Sequence, residues 1–509
     1  MNRFARTALI VFLLSLFGKG IGFLRDMVLV ARMGVGAQTD LYYSIINLIE
    51  ALVVFSGLST LHSLSNVITA KHLHDKPAIR NRFYTSFLLF ALTAGIMFMM
   101  LPLVFPKRCL LFVLPGYQPE WIERAASWLF WAAPSVVFLA LFRIFHAQFG
   151  VHGKFFYQNI FLVIVNAVLL MVTLTASPNS LVPSLCLFFS LAYGAAVVGQ
   201  YLMLRSMDVR LTGIPISIYK EDSVMYIKLV LPLLMVTAAQ SIAGIVDRMI
   251  ASYYPEGMIT ALSLASGLFG FVVNLLLISI TSVLFPDFSK AHFSGGSIQL
   301  IEKYLSGLKA ALIVLLPIVI FILFFHDEII RGLYFRRKFS LGSAEQVSGF
   351  LKLYALAIIP CAFYMIPSYV LQSMQCNTRV GFYGAISFIF NIVASIILSR
   401  LWGPAGIVWG TILTMTIYSI FMLRTVSRKL GMRLDRSFLF LSIQLSFLSV
   451  CAVFLVCFIP SEKFLSFFGE DMRHFVSLCI LTGSYLFLAT IGLFLWKGKE
   501  LKRTFLKAS

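Results

Sequence analysis

Charged residues are scarce in this chain. Of its 509 residues only 12% are charged, and acidic side chains number 21. So few charges cannot cover the surface of a water-soluble protein of this length, whereas 60% of the residues are hydrophobic and the mean hydropathy is +0.91. Apolar runs of about 20 residues recur along the sequence, and each can cross a bilayer as a helix. The composition therefore indicates a polytopic membrane protein.

Motifs of catalysis and of cofactor binding are missing as well. The seven cysteines have no metal-ligand spacing, and nearly all lie in or at the ends of apolar runs, where they act as small hydrophobic residues. The sequence contains no phosphate-binding glycine loop, no dinucleotide fingerprint and no Ser-His-Asp arrangement. No loop is long enough to form a basic soluble domain, so nucleic-acid binding is excluded despite a net charge of +20. We expect a non-enzymatic protein without a cofactor.

The apolar runs predict the topology. We count about fourteen spans of helical length, with a loop over residues 106–125 between the third and the fourth. The first span is too long and too charged for a cleaved signal peptide and is expected to stay. Lys and Arg, 41 in all, concentrate in the N-terminal tail, the even-numbered connections and the C-terminal tail. The positive-inside rule then places both termini in the cytoplasm. The predicted fold class is an all-α polytopic membrane protein.

Ionisable residues inside a span usually face a partner or a water-filled cavity, because charges at membrane depth are costly. The first span contains four, namely Lys19, Arg25, Asp26 and Arg32. At about 100° per residue, Lys19 and Asp26 share one side of the helix and the two arginines lie on another. Three cations and one acid favour an anionic ligand. The alternative is that Arg32, and also Arg25, extend to lipid headgroups while Asp26 serves as an ion-pair partner.

Three glycines surround Lys19, at positions 18, 20 and 22. Such a stretch relaxes a helix and permits a bend, which suits a segment that opens and closes. It is equally typical of close helix packing, because small residues let two backbones approach each other. The sequence leaves both interpretations open.

A weak internal repeat divides the chain. An offset of 221 residues places Ile21, Asp26, Gly36, Thr39 and Leu41 on Ile242, Asp247, Gly257, Thr260 and Leu262. The offset skips an even number of spans, so the halves share one orientation, as in transporters built from parallel repeats with the site at the lobe interface. We predict lobes over residues 1–215 and 216–430 and two additional spans over 431–509. Asp247 and Arg248 form either a polar site of the second lobe or an interfacial structural pair.

Short motifs follow one another along nearly the whole chain. They are residues 20–26 (GIGFLRD), 31–36 (ARMGVG), 39–43 (TDLYY), 246–247 (VD) with 251–252 (AS), 284–290 (LFPDFSK), 338–340 (KFS) and 403–406 (GPAG). The first three resemble the opening of the MurJ/MviN lipid II flippase family, whose pattern is close to R-x-x-G-F-x-R-D, then A-R-x-x-G-x-G, then T-D-A-F-F. The later motifs match family landmarks in the same order.

The resemblance implies two six-helix lobes in a V, two further helices that form a lipid-tail groove, and a cationic central cavity. It implies alternating access that turns an undecaprenyl-pyrophosphate-linked glycan across the membrane. The matching site residues are Arg25, Asp26 and Asp40, with Lys19 where the family usually has arginine. Two family arginines are absent, since their positions fall near Ala51 or Leu52 and at Gly267.

We therefore predict a flippase for a polyprenyl-pyrophosphate-linked glycan, first of all the peptidoglycan precursor lipid II, in the bacterial inner membrane. The predicted substrate-binding residues are Lys19, Arg25, Asp26, Asp40, Asp247 and Arg248. A flippase for O-antigen or exopolysaccharide precursors is the first alternative, and a multidrug cation antiporter is the second. The non-transport alternative is a scaffold protein. Under that hypothesis, the charges of the first span can be neutralised without effect. Without a P-loop, the expected energy source is an ion gradient or the membrane potential.

Overall fold

The chain is helical throughout the part that the structure describes. The computed structural model describes residues 3–57, 77–152, 154–206, 237–277, 296–374, 376–432, 436–457 and 473–490, and residues 224, 234, 284, 288 and 291 individually. No strand occurs within these residues, and the predicted all-α fold class is confirmed. The chain forms two compact units, residues 1–259 and 260–509. The predicted lobe boundaries stay predictions.

The first unit is built on three helix pairs. Its described helices are α1 Arg3–Met33, α2 Ala37–Phe55, α3 Pro77–Val104, α4 Pro106–Val113, α5 Pro119–Ala132, α6 Ser135–Val151, α7 Phe155–Thr175, α8 Leu181–Arg205 and α9, residues 237–251. Helix α1 packs along α7, α6 packs against α8, and α8 also contacts α7. These pairs bring the predicted site residues of α1 close to polar residues of the neighbouring helices.

Helices occupy most of the segment that the sequence predicts as a loop. Pro106 and Pro119 lie in the first turns of α4 and α5, where a residue without an N–H is tolerated because that donor has no partner in the helix. Helices α3 and α4 meet at an angle of 89°. The prediction of a loop over residues 106–125 is therefore wrong, since short helices that contain charges do not produce a long apolar run.

The remaining described helices belong to the second unit, which begins at residue 260, within the first of them. They are α10 Met258–Val272, which continues as a π-helix over Val273–Leu277, then α11 Gly296–Tyr334, α12 Leu341–Ser373, α13 Asn377–Trp402, α14 Ala405–Leu430, α15 Arg436–Cys457 and α16, residues 473–490. Helix α14 packs against α12 and α13, and α11 packs against α12 and α15. Tyr485 of α16 packs with Phe321 of α11, and its hydroxyl donates to the Pro317 carbonyl oxygen at 2.7 Å. Both C-terminal helices therefore pack on α11.

Eight of the described helical segments are long and apolar enough to cross a membrane, and the bent pair α3–α4 raises the number to nine. Helices α5 and α6 count as one segment here, over Pro119–Gly150. The predicted number of about fourteen spans stays a prediction, because several of those spans lie partly outside the described residues.

A helix begins at the aligned position in both halves of the predicted repeat. Gly36 is the N-cap of α2, and Gly257 directly precedes α10. Thr39 and Thr260, three residues later, are buried, with 1% and 0% exposure. This similarity supports the duplication that the sequence suggests.

Candidate functional site

The charged residues of α1 are in two different environments. Lys19 is exposed, whereas Arg25 and Asp26 are partly buried and pair with each other. Arg25 Nε and Nη2 both donate to Asp26 Oδ1, at 3.0 and 2.7 Å. Because the pair has no net charge, Lys19 supplies the exposed positive charge in this part of α1.

Two tyrosines on other helices interact with the Arg25–Asp26 pair, and one of them connects it to further charged groups. Tyr42 of α2 interacts electrostatically with both members of the pair. Tyr193 of α8 interacts electrostatically with Arg25, with Glu50 of α2 and with Arg143 of α6. We name these residues the charge cluster, which consists of Arg25, Asp26, Tyr42, Glu50, Arg143 and Tyr193. The cluster joins α1, α2, α6 and α8 within the first unit.

Sequence reasoning missed part of the charge cluster. Neither Glu50 nor Arg143 is among the predicted substrate-binding residues. The available signal was an ionisable residue inside an apolar span, which the sequence shows at both positions. Together with Lys19, the cluster has three cations and two carboxylates. This excess of one positive charge suits an anionic group.

Two of the three glycines near Lys19, Gly18 and Gly22, pack α1 against α7. A Cβ at Gly18 would lie 3.3 Å from Val163 Cγ2, and a Cβ at Gly22 would lie 3.4 Å from Asn166 Oδ1. The Asn166 side-chain amide also donates to the Gly18 carbonyl oxygen at 3.1 Å. Helix α1 is continuous through this stretch. The structure therefore favours the packing interpretation of these glycines over a bend.

Arg32 binds the end of a helix rather than a lipid headgroup. Its Nη1 donates to the Thr173 carbonyl oxygen at 2.5 Å, and its Nη2 donates to the Ala176 carbonyl oxygen at 2.7 Å. The last carbonyl groups of a helix have no partner within it and form the negative end of its dipole. Arg32 satisfies two such carbonyls at the end of α7, which replaces the headgroup interpretation.

We expect Arg32→Ala to destabilise the protein without abolishing its activity. Two part-buried carbonyl oxygens lose a charged donor, and such hydrogen bonds contribute about 1.5–3 kcal/mol. The midpoint of thermal unfolding in detergent should fall for Arg32→Ala. The midpoint should fall less for Arg32→Lys, because one charged donor remains. Arg424→Ala, at an exposed arginine of α14, is the control. An unchanged midpoint for Arg32→Ala would contradict the structural role.

Asp40 is a buried junction between three segments of the first unit. It has 1% exposure and lies in the first turn of α2. Its Oδ2 accepts hydrogen bonds from the Tyr117 hydroxyl at 2.5 Å and from the Gly257 backbone N–H at 2.7 Å. Burial, and then the neighbouring Asp40 carboxylate, raise the pKa of the Tyr117 phenol. The phenol therefore stays protonated and acts as the hydrogen-bond donor to Asp40. Asp40 thus joins α2 to the α4–α5 loop and to the turn after α9.

Further contacts join the α4–α5 loop and the first turn of α5 to the turn after α9. The Gly116 backbone N–H donates to Ser252 Oγ at 3.0 Å, and Trp121 Nε1 donates to Glu256 Oε1 at 3.0 Å. A Cβ at Gly116 would lie 2.3 Å from the Ser252 carbonyl oxygen. Gly257 has a φ of +96°, a conformation that other residues rarely adopt. We name Asp40, Gly116, Tyr117, Ser252 and Gly257 the Asp40 cluster.

The two remaining predicted site residues, Asp247 and Arg248, are half-buried in α9. Arg248 Nη1 donates to the Gly244 carbonyl oxygen of its own helix at 2.9 Å. Their role as substrate contacts stays a prediction. In the described part of the chain, no group of three or more His, Cys, Asp and Glu side chains is arranged to hold a metal ion.

Comparisons with known proteins agree with one another. The family model described as "Lipid II flippase MurJ" matches residues 29–470. The probable lipid II flippase MurJ of Vibrio cholerae serotype O1 is 22% identical over 434 residues, which cover 81% of this chain and 80% of that protein.

Solved structures share the fold. A structure of lipid II flippase MurJ in an inward closed conformation matches with a TM-score of 0.78 at 19% identity, covering 95% of this chain and 99% of that chain. An inward-facing multidrug resistance MATE family transporter of the MOP superfamily matches with a TM-score of 0.68 at 13% identity, covering 81% and 94%. Because the family model spans most of the sequence, this chain belongs to the lipid II flippase MurJ family.

Proposed function

We propose that this protein translocates lipid II, the polyprenyl-pyrophosphate-linked precursor of peptidoglycan, across the bacterial inner membrane. Membership of the lipid II flippase MurJ family supports the substrate, and the similarity to membrane transporters supports transport without a chemical reaction. The observation that most directly supports substrate binding is the exposed Lys19 of α1, on the same helix as Arg25 and Asp26 of the charge cluster. A pyrophosphate is the type of ligand that such a cation can bind.

The proposed binding step depends on the contrast between Lys19 and Arg25. Asp26 already holds Arg25 through two hydrogen bonds to one carboxylate oxygen. The Lys19 ammonium is a compact charge with three donors, and it gains most from an anion where little water is available. We therefore assign Lys19 the direct contact with the pyrophosphate, and the charge cluster a supporting electrostatic role.

The Asp40 cluster offers a means of closing one end of the site. It lies where α1 ends and α2 begins, which is the outer side in the predicted topology. We propose that these hydrogen bonds hold the outer side closed and break when the headgroup leaves. An ion gradient or the membrane potential is the proposed energy source.

Depletion and rescue in cells test the proposed function. A strain depleted of its own lipid II flippase should accumulate lipid II on the cytoplasmic face, and expression of this protein should restore translocation and growth. A strain that lacks an O-antigen precursor flippase serves as the control and should not be rescued. If only the control strain is rescued, the proposal is overturned and the substrate is an O-antigen precursor instead.

The proposed orientation, with both termini in the cytoplasm, makes a separate prediction. Reporter fusions at Lys76, Lys220 and Leu430 should report the cytoplasm, because each follows an even number of predicted spans. Fusions at Lys107, Arg337 and Glu462 should report the opposite side. The measurement uses paired reporters that are active on only one side of the membrane, and opposite results at two or more sites would reject the topology.

A further inference from the structure

Exposed side chains locate the edge of the lipid on two helices of the first unit. Near its end, α3 exposes Met97 by 62% and Val104 by 59%. Helix α5 exposes Phe130 and Trp131, each by 49%, whereas its first half exposes Glu120, Glu123 and Arg124. Apolar residues face the hydrocarbon and charged residues face water or headgroups. The edge of the hydrocarbon therefore lies after Val104 on α3 and between Arg124 and Phe130 on α5.

Helix α4 lies at this same level. It begins at Pro106, directly after the last lipid-exposed turn of α3, and it runs at 89° to α3. Lys107 Nζ contacts Glu123 Oε1 at 2.5 Å, which joins the start of α4 to the charged half of α5. A helix that turns through nearly a right angle at the end of a spanning helix runs along the membrane surface rather than across it.

The two sides of α4 differ in the way expected of an interfacial helix. Leu110 and Val113 have 0% exposure and face the protein, whereas Leu111 and Phe112 on the other side have 47% and 62% exposure. Lys107 and Arg108 are exposed as well. The Arg108 guanidinium lies over the ring of Phe105, 5.4 Å from its centroid. Exposed aromatic and aliphatic groups next to long cationic side chains are typical of helices at the boundary between headgroups and acyl chains.

We propose that α4 is bound in the lipid headgroup layer at the end of the first unit where α1 ends. Leu111 and Phe112 enter the upper acyl region, and Lys107 and Arg108 lie among the phosphates. The partner is the bilayer surface itself, and Arg108 favours anionic headgroups, because Lys107 is already paired with Glu123. The inference requires that the chain spans the membrane and does not depend on the transported substrate.

This placement connects the lipid surface to the Asp40 cluster. Helix α4 leads through the fully buried Leu114 into Gly116 and Tyr117. Gly116 binds Ser252, and Tyr117 binds Asp40. The position of this loop is therefore tied, through the buried Leu114, to a helix in the headgroup layer. A change in the headgroup layer can reach the Asp40 cluster through only a few residues.

Depth-dependent fluorescence quenching tests the proposal. In a variant whose seven native cysteines are replaced, Phe112→Cys receives an environment-sensitive fluorophore, and the protein is reconstituted into vesicles of phosphatidylethanolamine and phosphatidylglycerol. Nitroxide quenchers are placed at the lipid headgroup, at an upper acyl carbon or near the bilayer centre. We expect headgroup and upper acyl quenchers to act at least twofold more strongly than the central quencher. Leu111→Cys, on the same exposed side, provides a second label.

Phe130→Cys on α5 is the matched control, and it should be quenched from deeper in the bilayer than Phe112→Cys. Quenching of both α4 labels by aqueous iodide alone would place α4 in water and overturn the proposal. Protection from both lipid-borne and aqueous quenchers would show that protein, such as a second copy of the chain, covers this side, and would also overturn it. Because no substrate is used, the result is independent of whether lipid II is transported.

Discussion

Lys19→Ala is expected to abolish lipid II translocation, whereas Lys19→Arg should keep much of it. The ammonium is the exposed charge of α1, while Arg25 is held by Asp26. Hydrogen bonds to a charged group contribute about 1.5–3 kcal/mol, which corresponds to a roughly 10- to 150-fold loss of affinity for the pyrophosphate. Arginine preserves the positive charge and adds a planar arrangement of donors that suits a phosphate.

Complementation of a strain depleted of its own flippase, at matched protein levels, measures this effect. Lys19→Met separates charge from packing, because it keeps a long apolar side chain, and it should fail as Lys19→Ala does. Lys154→Ala, at an exposed lysine between α6 and α7, should complement normally. Normal translocation by Lys19→Met would remove the anion-binding role of Lys19 and would favour the scaffold hypothesis.

Gly116→Ala is expected to open the Asp40 cluster. A Cβ at this position would lie 2.3 Å from the Ser252 carbonyl oxygen and 2.8 Å from the Tyr253 backbone nitrogen. Backbone atoms cannot move aside as the end of a flexible side chain can, so the α4–α5 loop has to separate from the turn after α9. Overpacking of this kind costs about 1–3 kcal/mol, which shifts the population of the opened cluster by roughly 5- to 150-fold.

Thiol labelling at Ala251→Cys, a position with 1% exposure beside Ser252, reports the opening. In a cysteine-free background, a small aqueous thiol reagent should label this position faster by a similar factor when Gly116→Ala is added. Gly342→Ala is the control, because a Cβ there has no neighbour within 4 Å. If Gly116→Ala leaves the labelling rate unchanged, the Asp40 cluster does not restrict access from that side.

The charged residues of α1 are the part of the candidate site that the sequence alone could identify. A charge inside an apolar span is visible without a structure, so Lys19, Arg25 and Asp26 could be identified, and the adjacent Arg25 and Asp26 do pair. The same rule applies to Glu50 and Arg143, but their proximity to Tyr193 depends on how α2, α6 and α8 pack. Such packing cannot be read from the spacing along one helix.

Contacts between segments that lie far apart in the sequence could not be predicted from the sequence alone. The family resemblance selected Asp40, yet its partners Tyr117 and Gly257 lie 77 and 217 residues away. A tyrosine in a short loop and a backbone N–H carry no sequence signal for such a contact. Arg32 shows the same difficulty, since a carbonyl oxygen at a helix end is present in every helix and only the fold determines which one is near.

The contacts between α1 and α7 also restrict how the first unit can move. Gly18 and Gly22 pack against α7, and Arg32 binds the last carbonyl groups of α7. From Gly18 to Arg32, these contacts extend over about 21 Å of α1. An independent swing of α1 would break all of them at once. The two helices are therefore expected to travel as one rigid body, and Lys19 can change the side of the membrane that it faces only if α7 moves with it.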